Sequence, residues 1–147
     1  MHAIVRTASF GLALLLPAIG HAIEFGSVSE PAVLFDTPSD KGKRLFIVAT
    51  GTPVEIVVTL DKWVKIRDPG GAITWIERRA LADKRTVIVT EPRAVVRQQP
   101  APDAPAAFEV VKDVVLDVTA APAEGWVGVR HKDGASGFLR IGEVWGL

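Results

Sequence analysis

The chain is a succession of short apolar runs separated by turn residues. The runs are rich in Val, Ile, Leu and Phe, the separators are Pro, Gly and Asp, and no long stretch repeats at the helical period. In the first half the runs predict strands at 32–36, 45–49, 54–59, 63–67 and 73–77. The pattern therefore predicts an all-β protein.

The last two of these runs form a predicted hairpin. DPGG at 68–71 supplies a proline that fixes φ and glycines that tolerate positive φ. Because successive side chains of a strand point to opposite faces, Trp63, Lys65 and Arg67 share one face of their strand, and Val64 and Ile66 share the other. The same rule separates Ile73, Trp75 and Glu77 from Thr74 and Ile76. Each strand is therefore predicted to be half buried, as in a small closed or nearly closed barrel. RRAL at 78–81 predicts one short helical turn.

The second half of the chain repeats the first. Residues 61–76 align with 124–139 at a constant offset of 63, and 29–38 align with 90–100 with one additional residue in the second copy. The offset pairs Trp63 with Trp126, Arg67 with Arg130, Gly71 with Gly134, Trp75 with Phe138, and Leu81 with Val144. An internal repeat of this length predicts two structural units of the same kind.

The junction of the two copies lies in ADKRTVIVTEPRAVVRQQP, residues 82–100. We predict that RTVIVT (85–90) leads out of the first copy and that EPRAVVR (91–97) opens the second, with the domains set at 23–85 and 86–147. QQPAPDAPAA (98–107) is then a loop inside the second copy, after its first strand. Its prolines stiffen the loop and lower the entropy lost when it docks on a ligand.

Residues 1–22 have the composition of an export signal. A segment with Arg6 precedes an apolar run at 10–16, Pro17 then breaks any helix, and residues 20–22 are Gly-His-Ala, with small residues where a signal peptidase requires them. The alternative, a transmembrane anchor, needs about 20 consecutive apolar residues, and the apolar run at 10–16 is well short of that length. We therefore expect cleavage of the leader, no stable membrane anchor afterwards, and a periplasmic or secreted location.

Charge and cysteine content narrow the classes of function. Lys and Arg number 17, Asp and Glu also number 17, and loss of Arg6 with the leader leaves the remaining chain slightly acidic. There is no basic block, so we expect no nucleic-acid binding, which requires a clustered positive face. The sequence has no cysteine, so each copy must be stabilised by its own apolar core or by packing on its neighbour.

These motifs resemble the bacterial SH3-like (SH3b) domains of exported proteins. AVVRQQP at 94–100 is similar to the family's first strand and loop, and TGTPVEIV (50–57) and VVKDVVLDV (110–118) are similar to its turn and central strand. Both hairpins resemble the family's final Trp-x-hydrophobic-hydrophobic-Arg strand and its partner. The resemblance covers nearly all of residues 28–147 and implies two tandem small SH3-like barrels.

The chain departs from the family pattern at several positions. Leu34 and Phe35 replace the expected Val-Arg pair, Thr74 replaces the glycine before Trp75, and Phe138 replaces the second tryptophan. The sequence contains no tyrosine. Because eukaryotic relatives bind proline-rich peptides on an aromatic platform that typically includes tyrosine, the resemblance does not extend to PxxP recognition.

The sequence offers little catalytic or metal-binding chemistry. After the leader one histidine remains, His131, close to Asp133 and Ser136. Asp133-Gly134 is a hairpin signal, and the matching residues of the first copy carry no such set, so we expect an exposed turn rather than a catalytic triad. We expect no metal site and no cofactor, because neither zinc-ligand nor calcium-loop spacing occurs.

The candidate ligand-binding residues are the aromatic side chains of the two hairpins and the arginines of the same strands. They are Trp63, Arg67, Trp75, Trp126, Arg130 and Phe138. In the functional interpretation the aromatic rings wall a shallow groove, and arginine holds a ligand carboxylate. In the structural interpretation the tryptophans roof the barrels, the arginines make surface cation–π contacts, and Trp145 caps the second copy.

Two hypotheses about function follow. In the first, the protein is a non-catalytic binding module that recognises peptidoglycan peptides or an envelope protein, with two modules adding avidity. The resemblance implies this partner, since family members often accompany wall-active enzymes. In the second, it is a structural partner in an envelope complex, whose barrels pack on each other and present an edge strand or an apolar patch to another subunit.

Overall fold

The computed structural model describes residues 22–147, so the predicted leader lies outside the described residues except for Ala22. The first seven strands are β1 (Glu24–Val28), β2 (Ala32–Phe35), β3 (Arg44–Val48), β4 (Pro53–Thr59), β5 (Trp63–Arg67), β6 (Ile73–Glu77) and β7 (Leu81–Ala82). The next seven are β8 (Thr86–Val89), β9 (Arg93–Arg97), β10 (Ala106–Val111), β11 (Val115–Ala123), β12 (Trp126–Arg130), β13 (Ser136–Arg140) and β14 (Val144–Trp145). Short 3₁₀ helices cover Arg78–Ala80 and Ile141–Glu143. Across this part of the chain, no helix has the length and apolar character needed to cross a membrane.

The strands form two antiparallel sheets of identical topology. The first has the order β3-β2-β6-β5-β4-β1-β7, and the second has the order β10-β9-β13-β12-β11-β8-β14. Each strand of the second sheet thus occupies the place of the strand seven positions earlier. The all-β class and the duplication are confirmed, and the five strands predicted in the first half match β2 to β6 to within one residue at each end.

Each barrel closes around a purely aliphatic core. The first core consists of Val28, Leu34, Val54, Val64, Ile66, Ile76 and Ala80. The second consists of Val87, Val89, Ala94, Val96, Val110, Leu116, Val127, Val129, Leu139 and Val144. Among the described residues no aromatic side chain belongs to either cluster, although Phe35 and Trp126 are themselves buried and Phe108 packs against the second core.

The strand at the junction belongs to the second barrel. Thr86–Val89 pairs with β11 on one side and β14 on the other, which is how β1 pairs with β4 and β7 in the first barrel. The prediction that residues 85–90 lead out of the first copy is therefore wrong. The sheet of the first barrel ends at Ala82, and only the link at residues 83–85 separates it from β8.

Direct contacts join the two barrels. The Thr86 hydroxyl donates a hydrogen bond of 2.6 Å to the carbonyl oxygen of Gly51, and the Phe25 ring meets the edge of Trp145 with 5.0 Å between ring centroids. Arg85 lies over Phe25 and donates to the carbonyl oxygen of Gly146 at 2.8 Å. Trp145 therefore does not merely cap the second copy, as predicted, because it packs on the first barrel as well.

A buried hydroxyl in the first barrel leads to a stability prediction. Thr74 is buried on β6, and its Oγ1 has no hydrogen-bond partner within residues 22–147. Thr74→Val removes the unpaired hydroxyl at nearly constant shape, so we expect it to raise the free energy of unfolding by about 1 kcal/mol, measured by urea denaturation.

Thr86→Val is the matched control for this prediction. It removes a buried hydroxyl that does have a partner, the Gly51 carbonyl, and we expect it to lower the free energy of unfolding by about 1 kcal/mol or more. Loss of stability in Thr74→Val of the same size as in Thr86→Val would show that the Thr74 hydroxyl is satisfied in solution.

Candidate ligand-binding grooves

The hairpin of the first barrel presents an aromatic outer face. Trp63 lies opposite Glu77, Lys65 lies opposite Trp75, and Phe35 of β2 continues the row beyond Trp75. Directly opposed residues of antiparallel strands share a face, so these five side chains lie on one surface. The alternation that the sequence predicted for both strands is thus confirmed, with Val64, Ile66 and Ile76 on the buried side.

A shallow groove runs beside Trp63, and we name it the first groove. Its lining consists of Pro38, Ser39, Asp40, Lys62, Trp63 and Glu77. Phe35 holds the indole of Trp63 in an edge-to-face contact with 5.2 Å between the ring centroids. The half-buried indole therefore has a fixed orientation and forms one wall, and the loop between β2 and β3 forms the other.

The second barrel has a groove beside the equivalent tryptophan, and we name it the second groove. Its lining consists of Arg93, Ala94, Val95, Arg97, Pro102, Trp126, Arg140 and Glu143. Trp126 is more deeply placed than Trp63, with 8% of its surface exposed. As in the first barrel, a proline from the loop after the second strand faces the tryptophan, here Pro102.

Cationic side chains hold the aromatic rings of both hairpins. The Arg140 guanidinium lies over the Trp126 indole at 4.7 Å from the ring centroid, and the Lys65 ammonium lies over Trp75 at 5.3 Å. In each pair the two residues lie directly opposite each other on neighbouring strands. These contacts fix the rings and keep a positive charge at the surface.

Arg67 and Arg130 lie at the turn ends of their strands. At about 3.3 Å per residue, four residues separate Arg67 from Trp63 by roughly 13 Å, which is too far for stacking. Arg67 instead donates a hydrogen bond of 2.9 Å to the carboxylate of Glu55. Arg130 occupies the equivalent end of β12, opposite Ser136. The structure therefore separates the predicted arginines from the tryptophans on the same strands.

Sequence reasoning missed the arginines that do line a groove. Arg97 stands where the first copy has Phe35, and Arg140 stands where it has Glu77. The hairpin register contains the signal, because a turn centred on Asp133 places Trp126 opposite Arg140. Phe138 lies beside Arg97 on the same face, and Trp75 lies beside Phe35 in the first barrel.

The turn that contains His131 is held together by its own polar groups. The Asp133 carboxylate accepts a hydrogen bond from the Ala135 amide at 2.9 Å and lies 3.1 Å from His131 Nδ1. The amide first, and the imidazole second, lower the pKa of Asp133. In the first barrel Asp68 accepts a hydrogen bond from the Ala72 amide in the same way without a histidine. Within the described part of the chain, no three His, Cys, Asp or Glu side chains converge as metal ligands would.

Solved structures that are similar to this chain include the following three. NlpC1 from Trichomonas vaginalis is 13% identical over 91% of this chain and 50% of its own, with a TM-score of 0.39. NlpC2 from the same organism is 13% identical over 84% and 48%, with a TM-score of 0.39. An NlpC/P60 family protein from Bacillus cereus is 16% identical over 83% and 56%, with a TM-score of 0.38. This chain thus spans about half the length of these proteins.

The comparison with curated proteins gave no match. The family model described as bacterial SH3 domain matches residues 28–83 and matches again over 90–146. The first segment contains β2 to β7 and the second contains β9 to β14, so each covers one sheet except its first strand. The chain therefore belongs to the bacterial SH3 domain family and carries two SH3-like domains in tandem.

Proposed function

We propose that the protein is a non-catalytic, exported binding module of the cell envelope and that its ligand is the peptide part of peptidoglycan. The observation that carries the proposal is the duplicated groove, in which a tryptophan at an equivalent position of each barrel faces a proline-containing loop. Shallow aromatic grooves suit extended peptides, because flat rings bury apolar area with little loss of side-chain entropy. A periplasmic or secreted location is part of the proposal.

The remaining hairpin residues extend the proposed binding surface. Trp75 and Phe138 lie on the same outer faces as Trp63 and Trp126, and Arg67 and Arg130 end these faces at the hairpin turns. A peptide that runs along the hairpin from the tryptophan to the turn would pass over each of them. Two such surfaces on one chain raise the effective concentration at a polymeric ligand, so weak contacts suffice for retention.

The proposal predicts binding to isolated cell wall. Purified sacculi are expected to co-sediment with the described domains, residues 23–147, and Trp63→Ala is expected to weaken this binding about tenfold, because aromatic residues at the centre of an interface dominate its affinity. Phe46→Ala is the matched control, since Phe46 is an aromatic residue of the same barrel that is 60% exposed and outside the groove. The measurement is the bound fraction as a function of sacculus concentration.

A second function, assembly with an envelope protein, is favoured by one edge of the first sheet. β3 is the terminal strand, and its Phe46 and Ile47 are 60% and 76% exposed. If wild type does not pellet with sacculi, the wall is not the ligand. Crosslinking in the envelope fraction that recovers one stoichiometric protein, and that Phe46→Ala abolishes while Trp63→Ala does not, would establish assembly instead.

A further inference from the structure

The two grooves carry different charges at matched positions. In the first barrel the outward row of the hairpin face includes Phe35 and Glu77 around Trp63, whereas the second barrel has Arg97 and Arg140 at these positions around Trp126. One neutral aromatic residue and one acidic residue are thus exchanged for two arginines. The exchange lies beside the equivalent tryptophan of each barrel, where a ligand would lie.

A third arginine comes from the single additional residue in the second copy. EPA at 30–32 aligns with EPRA at 91–94, so the extra residue is Arg93, and it lines the second groove. Its nearest carboxylate is that of Glu109, at 3.8 Å, and both side chains are exposed. A loose, solvated ion pair of this kind contributes little, so Arg93 can exchange Glu109 for a ligand without a large penalty.

The contacts of the other two arginines, which also line the second groove, use only part of each guanidinium. Arg97 uses one Nη1–H on the carbonyl oxygen of Ala104, at 3.0 Å, which fixes its guanidinium beside the groove. Arg140 stacks on Trp126, and a stacked guanidinium keeps its in-plane N–H groups free. The one acidic lining residue, Glu143, accepts a hydrogen bond from the Arg140 amide at 3.0 Å. Three arginines therefore face a single, already engaged carboxylate.

From this charge pattern we infer that the second groove binds a peptide carboxylate and that the first groove does not. The inference rests on the proposed function and adds the ligand group and the barrel that binds it. Arg140, which lies over the buried Trp126 indole, and Arg97, which the Ala104 carbonyl oxygen holds, form the fork that a carboxylate fits, and Arg93 adds positive charge at the rim. The lining of the first groove contains two carboxylates, Asp40 and the Arg79-paired Glu77, and one cation, Lys62, so it has no surplus of positive charge for the same group.

The test is a titration of isotopically labelled protein, residues 23–147, with two N-acetylated tetrapeptides. One is Ala-Glu-Ala-Ala with a free C-terminal carboxylate, and the other is Ala-Gln-Ala-Ala amide. We expect the acidic peptide to shift the Trp126 indole signal and to bind about tenfold more tightly than the neutral one, with little change at Trp63. Two singly charged versions then show whether the side-chain or the terminal carboxylate is read.

Arg140→Gln is expected to remove most of this preference for the acidic peptide, and Arg140→Glu, which introduces the acidic residue type of the first copy, to remove all of it. Lys132→Gln is the matched control, because it makes the same charge change at the exposed turn, at the opposite end of the hairpin from Trp126. Equal binding of the two peptides, no binding of either, or an acidic peptide that shifts Trp63 as strongly as Trp126 would overturn the inference.

The same variants distinguish this inference from the proposed function. If wild type and Arg140→Gln bind sacculi equally while Trp63→Ala does not, the wall is the ligand and the carboxylate assignment is wrong. If the acidic peptide binds as expected but sacculi do not pellet the protein, the carboxylate site stands and the wall is not its source.

Discussion

Gly137→Ala is expected to lower the free energy of unfolding of the second barrel by about 3 kcal/mol, at the upper end of the usual effect of overpacking. A Cβ at Gly137 would lie 2.4 Å from the carbonyl oxygen of Arg97 and 2.7 Å from Cγ1 of Val96. The first of these atoms belongs to the backbone of β9, so the methyl group can be accommodated only if two paired strands move apart. Urea denaturation followed by circular dichroism measures the change.

Gly142→Ala is the matched control for Gly137→Ala. Gly142 follows β13 in the same barrel, and a Cβ there would meet no atom within 4 Å. Surface substitutions of this kind change stability by about 0.5 kcal/mol or less. Equal midpoints for the two variants would show that β9 and β13 do not approach closely at Gly137.

The close approach at Gly137 also shows a limit of the repeat. The aligned residue of the first barrel is Thr74, which is buried and carries a side chain where the second barrel has none. The two copies therefore share a topology but differ in strand spacing at this position. The sequence shows the exchange of Thr for Gly, but the direction in which the neighbouring strand has moved depends on contacts between residues far apart in the chain.

The central strands of each barrel could be predicted because buried and outward residues alternate along their own sequence. β5 and β6 alternate strictly between buried residues and less buried, outward residues, and a Pro-Gly turn joins them. β1 and β7 were missed. In β1 Gly26 and Ser27 interrupt the apolar pattern although both are buried, and β7 has only two residues. Such strands are defined by their hydrogen bonds to neighbouring strands, and this pairing produces no pattern in their own sequence.

The candidate site could be predicted only in part, because its contacts also form between neighbouring strands and not along one strand. Period-two alternation put Trp63 and Trp126 on the same side of their strands as Arg67 and Arg130, and so suggested that each tryptophan has an arginine partner on its own strand. Residues i and i+2, which share one face of a strand, are about 6.6 Å apart, whereas directly opposite residues on the next strand are about 5 Å apart. Cross-strand pairing therefore gives Trp126 its cation, Arg140.

The second large prediction concerns the contact between the two barrels. The end of β14 and the residue that follows it lie against the first barrel. Gly146 has φ of +117°, and a Cβ there would lie 2.8 Å from the Thr86 carbonyl oxygen and 3.0 Å from Cβ of Pro53. Gly146→Ala therefore strains the backbone and also pushes the two barrels apart. We expect it to lower the free energy of unfolding by about 3 kcal/mol, from about 1 kcal/mol of left-handed strain and about 2 kcal/mol of overpacking.

Gly134→Ala separates these two contributions. Gly134 also has a positive φ, +96°, but a Cβ there would meet no atom within 4 Å, so only the conformational strain remains. We expect Gly134→Ala to lose about 1 kcal/mol, and the remaining difference between the two variants measures the packing of Gly146 between Thr86 and Pro53. Equal losses would mean that the barrels yield without cost at this contact. A larger loss in Gly146→Ala, together with faster solvent exchange of the Trp145 indole N–H, would show that the contact between the barrels contributes to the stability of the chain.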